Sequence, residues 1–513
     1  MRVKNILQYL EDTARRFPEK VSFTDGEDGE SLTFGALLGR ARRIGTALCA
    51  AGECGGRVGV CMERSPGAIA AMLGAVYAGA CYVPLDAAAP SGRLCRILER
   101  AQVRHVICDA ACAGAIEGLP GVSVLDVGEL CATRADGAVL ATVRAEQIDT
   151  DPLYIVFTSG SSGEPKGVIA CHRSVIDYGE ALLAALGLDD SCVFGCQSPL
   201  WFDAPLKEIL AVLMRGATCC LIPRRCFSFP HLLLDYLEKN HVNTVAWVSS
   251  AFSLVAMTGA LEERPPRTLR TVIFGSEVFP RVYFDRWRTA LPEADFYQLY
   301  GPTEATGMSC VYPVPRELSP AVRVIPIGHA LDNTQVLLIG GDGERILPVP
   351  GEESAEGEIY LRGTCVTLGY VGDAGETARS FVQNPLQSAY PEIVYRTGDL
   401  ACFDTAGELV FRDRRDGQIK LCGHRIDPSE PEAAAMEISG VTEAAYVTAK
   451  GQATLLFAGE ASEAQVAEGL RARLPRYMLP RRVLRTGAFP RKENGKLDRA
   501  RLGKWAERGV QEE

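Results

Sequence analysis

Several features that mark other classes of protein are missing from this 513-residue sequence. Residues 1–12 are already mixed and charged, without the basic start, apolar middle and small-residue cleavage site of a secretory leader. The eighteen cysteines are scattered, and neither Cys108 with Cys112 nor Cys219 with Cys220 has a second pair at zinc-ligand spacing. The sequence therefore predicts reduced thiols, a cytoplasmic location and no metal–cysteine site.

Only one stretch, residues 67–85, raises the question of a membrane span, because its nineteen residues carry no charge. About eighteen to twenty apolar residues can cross a bilayer, but Gly67, Gly74, Gly79 and Pro84 interrupt this run. Residues 68–78 instead fit a buried helix that leads through Gly79 into a short strand. We predict a soluble helix–strand unit and no membrane span.

Positive charge is also in short supply, since the formal net charge is -10. This balance argues against a nucleic-acid-binding protein. Residues 471–504 form one basic region, which contains twelve Lys or Arg and only two acidic residues, Glu493 and Asp498. Its aromatic residues are Tyr477 and Phe489 alone, so ATP or an acidic protein partner is favoured over RNA or DNA. A solvated basic helix face is the alternative interpretation.

The composition that is present, 47% hydrophobic and 23% charged, is typical of a globular protein large enough for two or more domains. Between residues 31 and 292, short apolar runs alternate with amphipathic helical stretches, which predicts an α/β fold with parallel sheets covered by helices. Beyond residue 328, closely spaced strands with turn signals indicate a barrel-like or antiparallel β region. The predicted strands are residues 57–61, 104–108, 153–157, 219–222, 244–248, 271–274, 334–339, 358–361 and 408–411.

A charged, glycine-containing segment at residues 413–418 separates this bulk from about one hundred Arg-rich residues. It is the best candidate for a linker. We predict an N-terminal domain at residues 1–413 and a C-terminal domain at residues 414–513.

A loop at residues 158–167, Thr-Ser-Gly-Ser-Ser-Gly-Glu-Pro-Lys-Gly, follows directly on the apolar run 153–157. Glycines let a backbone approach a polyphosphate, hydroxyls and free N–H groups surround its oxygens, and a lysine neutralises part of its charge. The loop differs from the common P-loop, because Pro165 precedes Lys166 and Gly167 follows it. The sequence therefore predicts a phosphate-binding loop of another kind.

The order of eight segments resembles the adenylate-forming superfamily of acyl-CoA synthetases, luciferases and nonribosomal peptide adenylation domains. Residues 271–280, Thr-Val-Ile-Phe-Gly-Ser-Glu-Val-Phe-Pro, are most similar to stand-alone amino-acid activating enzymes of the D-alanine–carrier protein ligase type. The resemblance covers nearly the whole chain. The eight segments are residues 78–86 (Ala-Gly-Ala-Cys-Tyr-Val-Pro-Leu-Asp), 158–167, 202–204 (Phe-Asp-Ala), 300–304 (Tyr-Gly-Pro-Thr-Glu), 357–360 (Gly-Glu-Ile-Tyr), 395–400 (Tyr-Arg-Thr-Gly-Asp-Leu), 414–420 (Arg-Arg-Asp-Gly-Gln-Ile-Lys) and 494–499 (Asn-Gly-Lys-Leu-Asp-Arg).

This resemblance implies an ATP-dependent ligase that forms an aminoacyl-AMP and transfers the aminoacyl group to the phosphopantetheine thiol of a separate carrier protein. It also implies a large N-terminal domain of two parallel-type sheets plus a barrel-like β region, and a small mobile α+β C-terminal lid. The sequence ends soon after the final motif, so we expect no fused carrier. Two alternatives stay open: an acyl-CoA synthetase acting on a small carboxylic acid, and a catalytically silent nucleotide-binding scaffold.

The resemblance also implies roles for the residues that would hold ATP. Tyr300 offers an aromatic face to adenine, Asp399 accepts both ribose hydroxyls, and Arg414 supports ribose and phosphate. Thr303 contacts the α-phosphate, while Glu304 is a hard oxygen ligand for Mg²⁺. The loop residues expected at the β- and γ-phosphates are Thr158, Ser159, Gly160, Ser161, Ser162, Gly163 and Lys166.

Three positions in the C-terminal region match the moving parts of the family. Asp416 is the expected hinge. Gly423 belongs to the loop that relatives swing into the site for thiolation. Lys496 is the expected catalytic lysine, which would bridge the substrate carboxylate and the α-phosphate in the transition state.

The substrate is expected to be an amino acid, because Asp203 after Phe202 matches the carboxylate that pairs with the α-ammonium in amino-acid activating relatives. Lys207, if it points inward, would pair with an acidic side chain such as Glu or Asp. An ion pair with Glu208 or an outward orientation on a helix is equally compatible with the sequence. Gly275 stands where D-alanine ligases carry a cysteine, which argues against D-alanine. The other pocket candidates are Ala204, Ala251, Val272, Phe274, Leu299, Gly307 and Met308.

Overall fold

The computed structural model is an α/β protein and describes residues 3–26, 29–160, 163–415, 417–449, 451–487, 489–491 and 497–509. Two short 3₁₀ segments, Thr303–Ala305 and Arg476–Met478, accompany the α-helices and strands of this described part. The strands are β1 (Val21–Asp25), β2 (Ser31–Thr33), β3 (Arg57–Cys61), β4 (Cys81–Pro84), β5 (His105–Cys108), β6 (Ser123–Asp126), β7 (Pro152–Thr158), β8 (Lys166–Cys171), β9 (Val193–Cys196), β10 (Thr218–Leu221), β11 (Thr244–Val248), β12 (Thr271–Gly275), β13 (Asp295–Tyr300), β14 (Cys310–Pro313), β15 (His329–Ala330), β16 (Thr334–Ile339), β17 (Arg345–Ile346), β18 (Gly357–Gly363), β19 (Phe381–Gln383), β20 (Ile393–Phe403), β21 (Leu409–Arg414), β22 (Ile419–Leu421), β23 (His424–Ile426), β24 (Val441–Ala449), β25 (Gln452–Gly459) and β26 (Arg482–Arg485). The α-helices are α1 (Leu7–Arg16), α2 (Phe34–Ala50), α3 (Pro66–Tyr77), α4 (Ser91–Ala101), α5 (Ala113–Ile116), α6 (Val127–Ala132), α7 (Gly137–Glu146), α8 (His172–Ala185), α9 (Leu206–Arg215), α10 (Arg224–Ser228), α11 (Pro230–Lys239), α12 (Ser249–Met257), α13 (Ala260–Glu263), α14 (Arg281–Ala290), α15 (Ala374–Ser380), α16 (Ser429–Met436), α17 (Glu463–Arg471) and α18 (Arg499–Arg508).

Two large sheets carry the parallel strands that the apolar runs predicted. The first has the order β15-β14-β13-β12-β11-β9-β10-β1-β2, and its central strands from β13 to β1 are parallel. The second has the order β6-β5-β3-β4-β7-β8, and β8 alone among its strands runs antiparallel to its neighbour. Because β-strands followed by helices return to the same sheet in parallel, the predicted α/β class is confirmed.

The uncharged run at residues 67–85 forms α3 and β4, as the glycine spacing predicted. Ser65 caps the helix by accepting a hydrogen bond from the Ala68 backbone N–H at 3.2 Å, and Pro66 occupies the first turn. Gly79 takes the left-handed conformation with a φ of 73°, which ends the helix and starts the turn into β4. Every residue of α3 is buried, and most of them belong to the main hydrophobic core. Within the described residues, the structure contains no helix that is both long and apolar enough for a bilayer.

The antiparallel region predicted after residue 328 is the third sheet, with the order β17-β16-β18-β20-β19 and β21 paired to β20. Its strand β20 carries Asp399 and faces Arg414 of β21 in register. This sheet therefore positions two of the predicted nucleotide-binding residues.

The C-terminal residues build a smaller unit from the hairpin β22–β23, the three-stranded sheet β24-β25-β26 and helices α16 to α18. It has its own hydrophobic cluster, in which Tyr446 and Phe457 are fully buried. The predicted boundary between residues 413 and 414 falls at the end of β21, and it stays a prediction. The predicted hinge, Asp416, lies outside the described residues.

Candidate active site

The predicted phosphate-binding loop joins β7 to β8 as a tight antiparallel hairpin, in which Thr158 faces Lys166. A Cβ atom on Gly160 would lie 2.0 Å from the Glu164 carbonyl oxygen, so only glycine fits there. Gly163 has a φ of 80°, which also favours glycine. Both glycines are thus required by the backbone of the hairpin, and the predicted binding of phosphate stays a prediction. Ser161 and Ser162 lie outside the described residues.

Residues from the C-terminal unit cover this loop. The Ser159 hydroxyl donates to the Arg425 carbonyl oxygen at 2.7 Å and accepts a hydrogen bond from the Asp427 backbone N–H at 3.0 Å. The Ser429 hydroxyl donates to the Gly160 carbonyl oxygen at 3.3 Å. In this arrangement the Ser159 hydroxyl, which was expected to bind a phosphate oxygen, is hydrogen-bonded to the C-terminal unit instead.

The predicted phosphate-neutralising lysine is likewise paired within the protein. Lys166 is buried, and its Nζ lies 2.5 Å from Oε1 of Glu376 in α15. The same ammonium lies 5.5 Å from the ring centroid of Tyr370. A polyphosphate would therefore compete with Glu376 for this cation.

Tyr300, Asp399 and Arg414 form a buried cluster at the end of β13. The Tyr300 hydroxyl donates to Oδ2 of Asp399 at 2.5 Å, and the Arg414 guanidinium pairs with Oδ1 of the same carboxylate. Arg414 also donates to the Thr397 carbonyl oxygen at 3.0 Å. The Nζ of Lys420, whose pKa burial lowers, lies 5.7 Å from the Tyr300 ring centroid. The structure thus brings together the three residues that the resemblance assigns to adenosine.

Glu304, the predicted Mg²⁺ ligand, is only 1% exposed and has an arginine for a neighbour. Arg425 donates to its two carboxylate oxygens at 3.2 and 3.0 Å, and the Tyr370 hydroxyl donates to Oε1 at 2.7 Å. Burial by itself would raise the pKa of this carboxyl, but Arg425 and Tyr370 bring it below its usual value. Glu304 is therefore ionised at neutral pH and balanced by a guanidinium in this arrangement.

Asp203 lies just before α9. Burial raises the pKa of its carboxyl, while the hydrogen bond from Thr303 and the positive charge of Lys207 oppose that rise. Burial disfavours the charged form of a carboxyl, and a substrate ammonium beside Asp203 would favour that form.

Phe202, the residue before Asp203, contacts the C-terminal unit rather than the substrate pocket. Its ring centroid lies 4.9 Å from that of His424 and 5.9 Å from that of Tyr477. His424 stacks on Tyr477 at 4.4 Å, and burial lowers the pKa of its imidazole to about 4. These three rings pack the two parts of the chain together.

Two cavities receive most of the predicted substrate residues. A cavity of about 1230 Å³ is lined by Ala251, Leu299, Tyr300 and Arg414 together with residues 417–422. A smaller cavity of about 10 Å³ shares Val248, Ser276 and Leu299 with it. The predicted residues that line the smaller cavity are Ala204, Lys207, Phe274, Gly275, Leu299 and Met308.

Besides Phe202, three predicted substrate residues line neither cavity: Asp203, Val272 and Gly307. Val272 is fully buried in a hydrophobic cluster that also holds the Phe274 ring, 5.1 Å from the ring of Phe279. Gly307 has a φ of 86°, and a Cβ on it would lie 3.3 Å from Cζ of Tyr178.

Gly423, the predicted thiolation-loop glycine, lies against the N-terminal residues of the cavity wall. Its backbone N–H donates to Oε1 of Glu277 at 2.7 Å, and a Cβ on it would lie 2.3 Å from Cγ1 of Val248. Sequence reasoning missed Glu277 and Arg425 as site residues. Glu277 stands inside the quoted 271–280 segment and Arg425 two residues after Gly423, but neither has a local pattern that reveals its partner.

A buried ion pair also joins the two parts of the chain. Arg93 of α4 pairs with Glu430 of α16, and both side chains are at most 5% exposed. Burial raises the pKa of the Glu430 carboxyl, although Arg93 opposes the rise. Removing one partner of such a pair leaves an uncompensated buried charge.

We therefore expect Arg93→Met to weaken the docking of the C-terminal unit by about 3 kcal/mol. The double variant Arg93→Met with Glu430→Met should restore most of this free energy, because no charge is then left buried. Hydrogen exchange at the backbone amides of Asp427 and α16 measures the opening free energy. Arg96→Met is the matched control, since Arg96 lies on the same helix and its exposed pair with Glu164 should contribute about 1 kcal/mol or less. Equal effects of the two single variants would contradict the prediction.

Comparison with known proteins agrees with this geometry. A family model described as "AMP-binding enzyme" matches residues 10–371, which is more than half of the chain. The chain belongs to the AMP-binding enzyme family. The adenylate-forming resemblance carried by the eight segments is therefore confirmed.

Three relatives illustrate the range of this similarity. Tyrocidine synthase 1 of Brevibacillus parabrevis is 29% identical over 97% of the chain, which spans only 45% of that longer protein. An L-proline–[L-prolyl-carrier protein] ligase of Pseudomonas fluorescens is 30% identical, with 96% of this chain and 97% of that protein covered. The structure of PA1221, a nonribosomal peptide synthetase protein containing adenylation and PCP domains, superposes with a TM-score of 0.82 at 26% identity, covering 97% of this chain and 84% of that one.

Proposed function

We propose that this protein is an ATP-dependent amino-acid ligase, which forms an aminoacyl-AMP and transfers the aminoacyl group to the phosphopantetheine thiol of a carrier protein. The observation that carries the proposal is the large cavity between the two parts of the chain. Its wall combines the adenosine candidates Tyr300 and Arg414, the substrate candidates Ala251 and Leu299, and residues 417–422. The similarity to a carrier-protein ligase over nearly the whole of both chains supports the same function.

In the first half-reaction, the substrate carboxylate attacks the α-phosphorus of ATP and pyrophosphate leaves. Two anions have to be held together, so positioning and charge neutralisation dominate the catalysis. The hairpin loop with Lys166 would hold the departing pyrophosphate. Asp399 would orient the ribose, and Asp203 would hold the α-ammonium.

Mg²⁺ fits the chemistry of Glu304, because this cation is commonly held by one or two carboxylates together with the phosphate oxygens of a substrate. Within the described residues there is no cluster of three or more His, Cys, Asp or Glu side chains that would form a protein-only metal site. Glu304 would therefore hold a cation that arrives with ATP and neutralises phosphate charge. Since Arg425 now balances this carboxylate, Arg425 has to withdraw when ATP binds.

The contacts of the C-terminal unit support a two-position lid. With Arg425 on Glu304 and Asp427 on Ser159, the phosphate loop is covered and polyphosphate has no access to these groups. We assign this arrangement to the second half-reaction, after pyrophosphate has left. Gly423 then lies at the cavity wall, where the carrier thiol would reach the adenylate.

ATP–pyrophosphate exchange over L- and D-amino acids and short carboxylic acids tests the first half-reaction. Exchange with an amino acid, followed by thioester formation on a phosphopantetheinylated carrier but not on free coenzyme A, is the expected result. Thioester formation on coenzyme A alone would identify an acyl-CoA synthetase instead. ATP binding without exchange for any acid would identify a catalytically silent nucleotide-binding protein. We place the reaction in the cytoplasm, where reduced thiols persist.

Gly423→Ala should lower the rate of thioester transfer at least about tenfold while leaving pyrophosphate exchange intact. The reason is that Gly423 has a φ of 78° and leaves no room for a Cβ beside Val248. Gly451→Ala is the matched control, because Gly451 has a similar φ of 72° with no atom near the Cβ position. If both variants transfer equally well, the Gly423 loop has no part in the second half-reaction.

A further inference from the structure

The first turn of α9 carries a buried lysine. Lys207 is only 7% exposed, and it lines the smaller cavity together with Ala204, Phe274 and Gly275. Its Nζ reaches back toward the start of the helix and donates to the Ala204 carbonyl oxygen at 2.6 Å. The orientation that the sequence left open is therefore inward.

Within the part of the chain that the structure describes, this ammonium has no carboxylate at ion-pair distance. An ammonium carries three N–H donors, and the bond to Ala204 uses one of them. Glu208 lies next in sequence and interacts with Lys207 only electrostatically, while its own carboxylate oxygens have no hydrogen-bond partner among the described residues. Because a buried charge is unfavourable without a close partner, Lys207 is poised to receive an anion.

Asp203 stands one helical turn before Lys207 and carries the opposite charge when ionised. The turn between them is closed by a hydrogen bond from the Leu206 N–H to the Asp203 carbonyl oxygen at 2.9 Å. The two charges are near enough for Lys207 to affect the titration of Asp203. A ligand that carries an ammonium and a carboxylate a few bonds apart would complement both groups.

We propose that the substrate is an amino acid with an acidic side chain, whose carboxylate pairs with Lys207 while its α-ammonium pairs with Asp203. This assignment rests on the proposed function, since it names the amino acid that the ligase activates. The remaining cavity walls are apolar or small, apart from the hydroxyls of Ser198 and Ser276. Lys207 would repel basic side chains.

Pyrophosphate exchange with the wild-type protein gives the first test. Aspartate or glutamate, in its L or D form, should exceed the isosteric asparagine or glutamine by about 100-fold in kcat/KM, because the amide leaves the buried ammonium unpaired. Faster exchange with a neutral or basic amino acid would overturn the Lys207 assignment and leave the ligase function standing. Absence of exchange with every amino acid would overturn the ligase function itself.

Substitution gives the second test. Lys207→Met should lower kcat/KM for the acidic substrate by about 100-fold and shift the acid-to-amide ratio toward the amide, whereas Lys207→Arg should keep a preference for the acid. Lys239→Met removes the same charge from an exposed position and should change neither value. An unchanged acid-to-amide ratio in folded Lys207→Met would overturn the proposal. Thermal unfolding reports whether Lys207→Met folds. If it does not fold, the proposal is tested by the ratio of kcat/KM for the acid to kcat/KM for the amide in the wild-type protein.

Discussion

Replacement of Lys496 with alanine is expected to lower the rate of adenylate formation by about 10²- to 10³-fold while ATP binding is retained. Charge moves from the attacking carboxylate onto the α-phosphate oxygens as the reaction proceeds, and a positioned ammonium stabilises this change in the transition state. Pyrophosphate exchange measures the loss, and nucleotide titration measures the retained binding. Lys496 lies outside the described residues, so this expectation rests on its place in the final motif.

The two half-reactions separate a catalytic role of Lys496 from a general defect. Thioester transfer from a supplied aminoacyl-AMP should persist in the variant, because that step no longer involves pyrophosphate. Lys492→Ala removes the same charge four positions earlier and serves as the control. Exchange that proceeds at the wild-type rate in Lys496→Ala would remove this lysine from the mechanism.

Asp203→Ala is expected to lower kcat/KM for the amino-acid substrate by about 100-fold or more. In the proposed complex this carboxylate pairs with the α-ammonium, which favours its charged form against the desolvation that raises its pKa. The ammonium of the substrate would then be buried without a partner in the variant. Pyrophosphate exchange over a range of substrate concentrations measures the effect on KM and kcat separately.

A substrate analogue that lacks the α-amino group but is otherwise identical to the amino acid provides the internal control for Asp203. This carboxylic acid should react poorly with the wild-type protein and lose little further in Asp203→Ala, because it has no ammonium to pair. Asp203→Asn keeps the shape of the side chain, and its kcat/KM for the amino acid should lie between those of the wild-type protein and Asp203→Ala. Equal activation of the amino acid by wild-type protein and Asp203→Ala would show that the ammonium is bound elsewhere.

The raised pKa of Asp203 also predicts a pH dependence for the same step. A carboxyl whose pKa is raised becomes protonated at a higher pH than usual and then loses its attraction for an ammonium. KM for the amino acid should therefore increase toward acidic pH, and this increase should begin at a higher pH than an ordinary aspartate would give. The Asp203→Asn variant should lack this part of the pH profile.

Nine strands were predicted with their bounds from local pattern, and the structure has a strand at each of these places. β3, β11 and β16 begin and end at the predicted residues, and β5, β7, β10 and β12 differ by one residue at one or both ends. β18 and β21 extend up to three residues beyond the prediction, since pairing with β20 continues past the apolar core of each strand. Apolar runs between turn residues are a local property, so they can be located without knowledge of the partner strands.

The candidate site was predictable to the extent that its residues stand in contiguous motifs. Tyr300, Asp399 and Arg414 meet as the resemblance implied, and most of the predicted pocket residues line the two cavities. Phe202 is the main departure, because its ring packs on His424 and Tyr477 of the C-terminal unit. A motif position gives the place of a residue in the backbone, whereas the direction of its side chain depends on what packs beside it.

The sequence by itself determined the family, the α/β architecture and the chemical types available for ATP, amino acid and thiol, because short motifs and apolar periodicity are encoded within a few residues of chain. Only the tertiary structure decided that Lys207 points inward, that Arg425 balances Glu304, and that Ser159 is covered from the C-terminal side. These contacts join residues separated by 121 positions in one case and 266 in another. Such pairs depend on how two separately packed parts of the chain meet, and no local pattern in either part specifies that meeting.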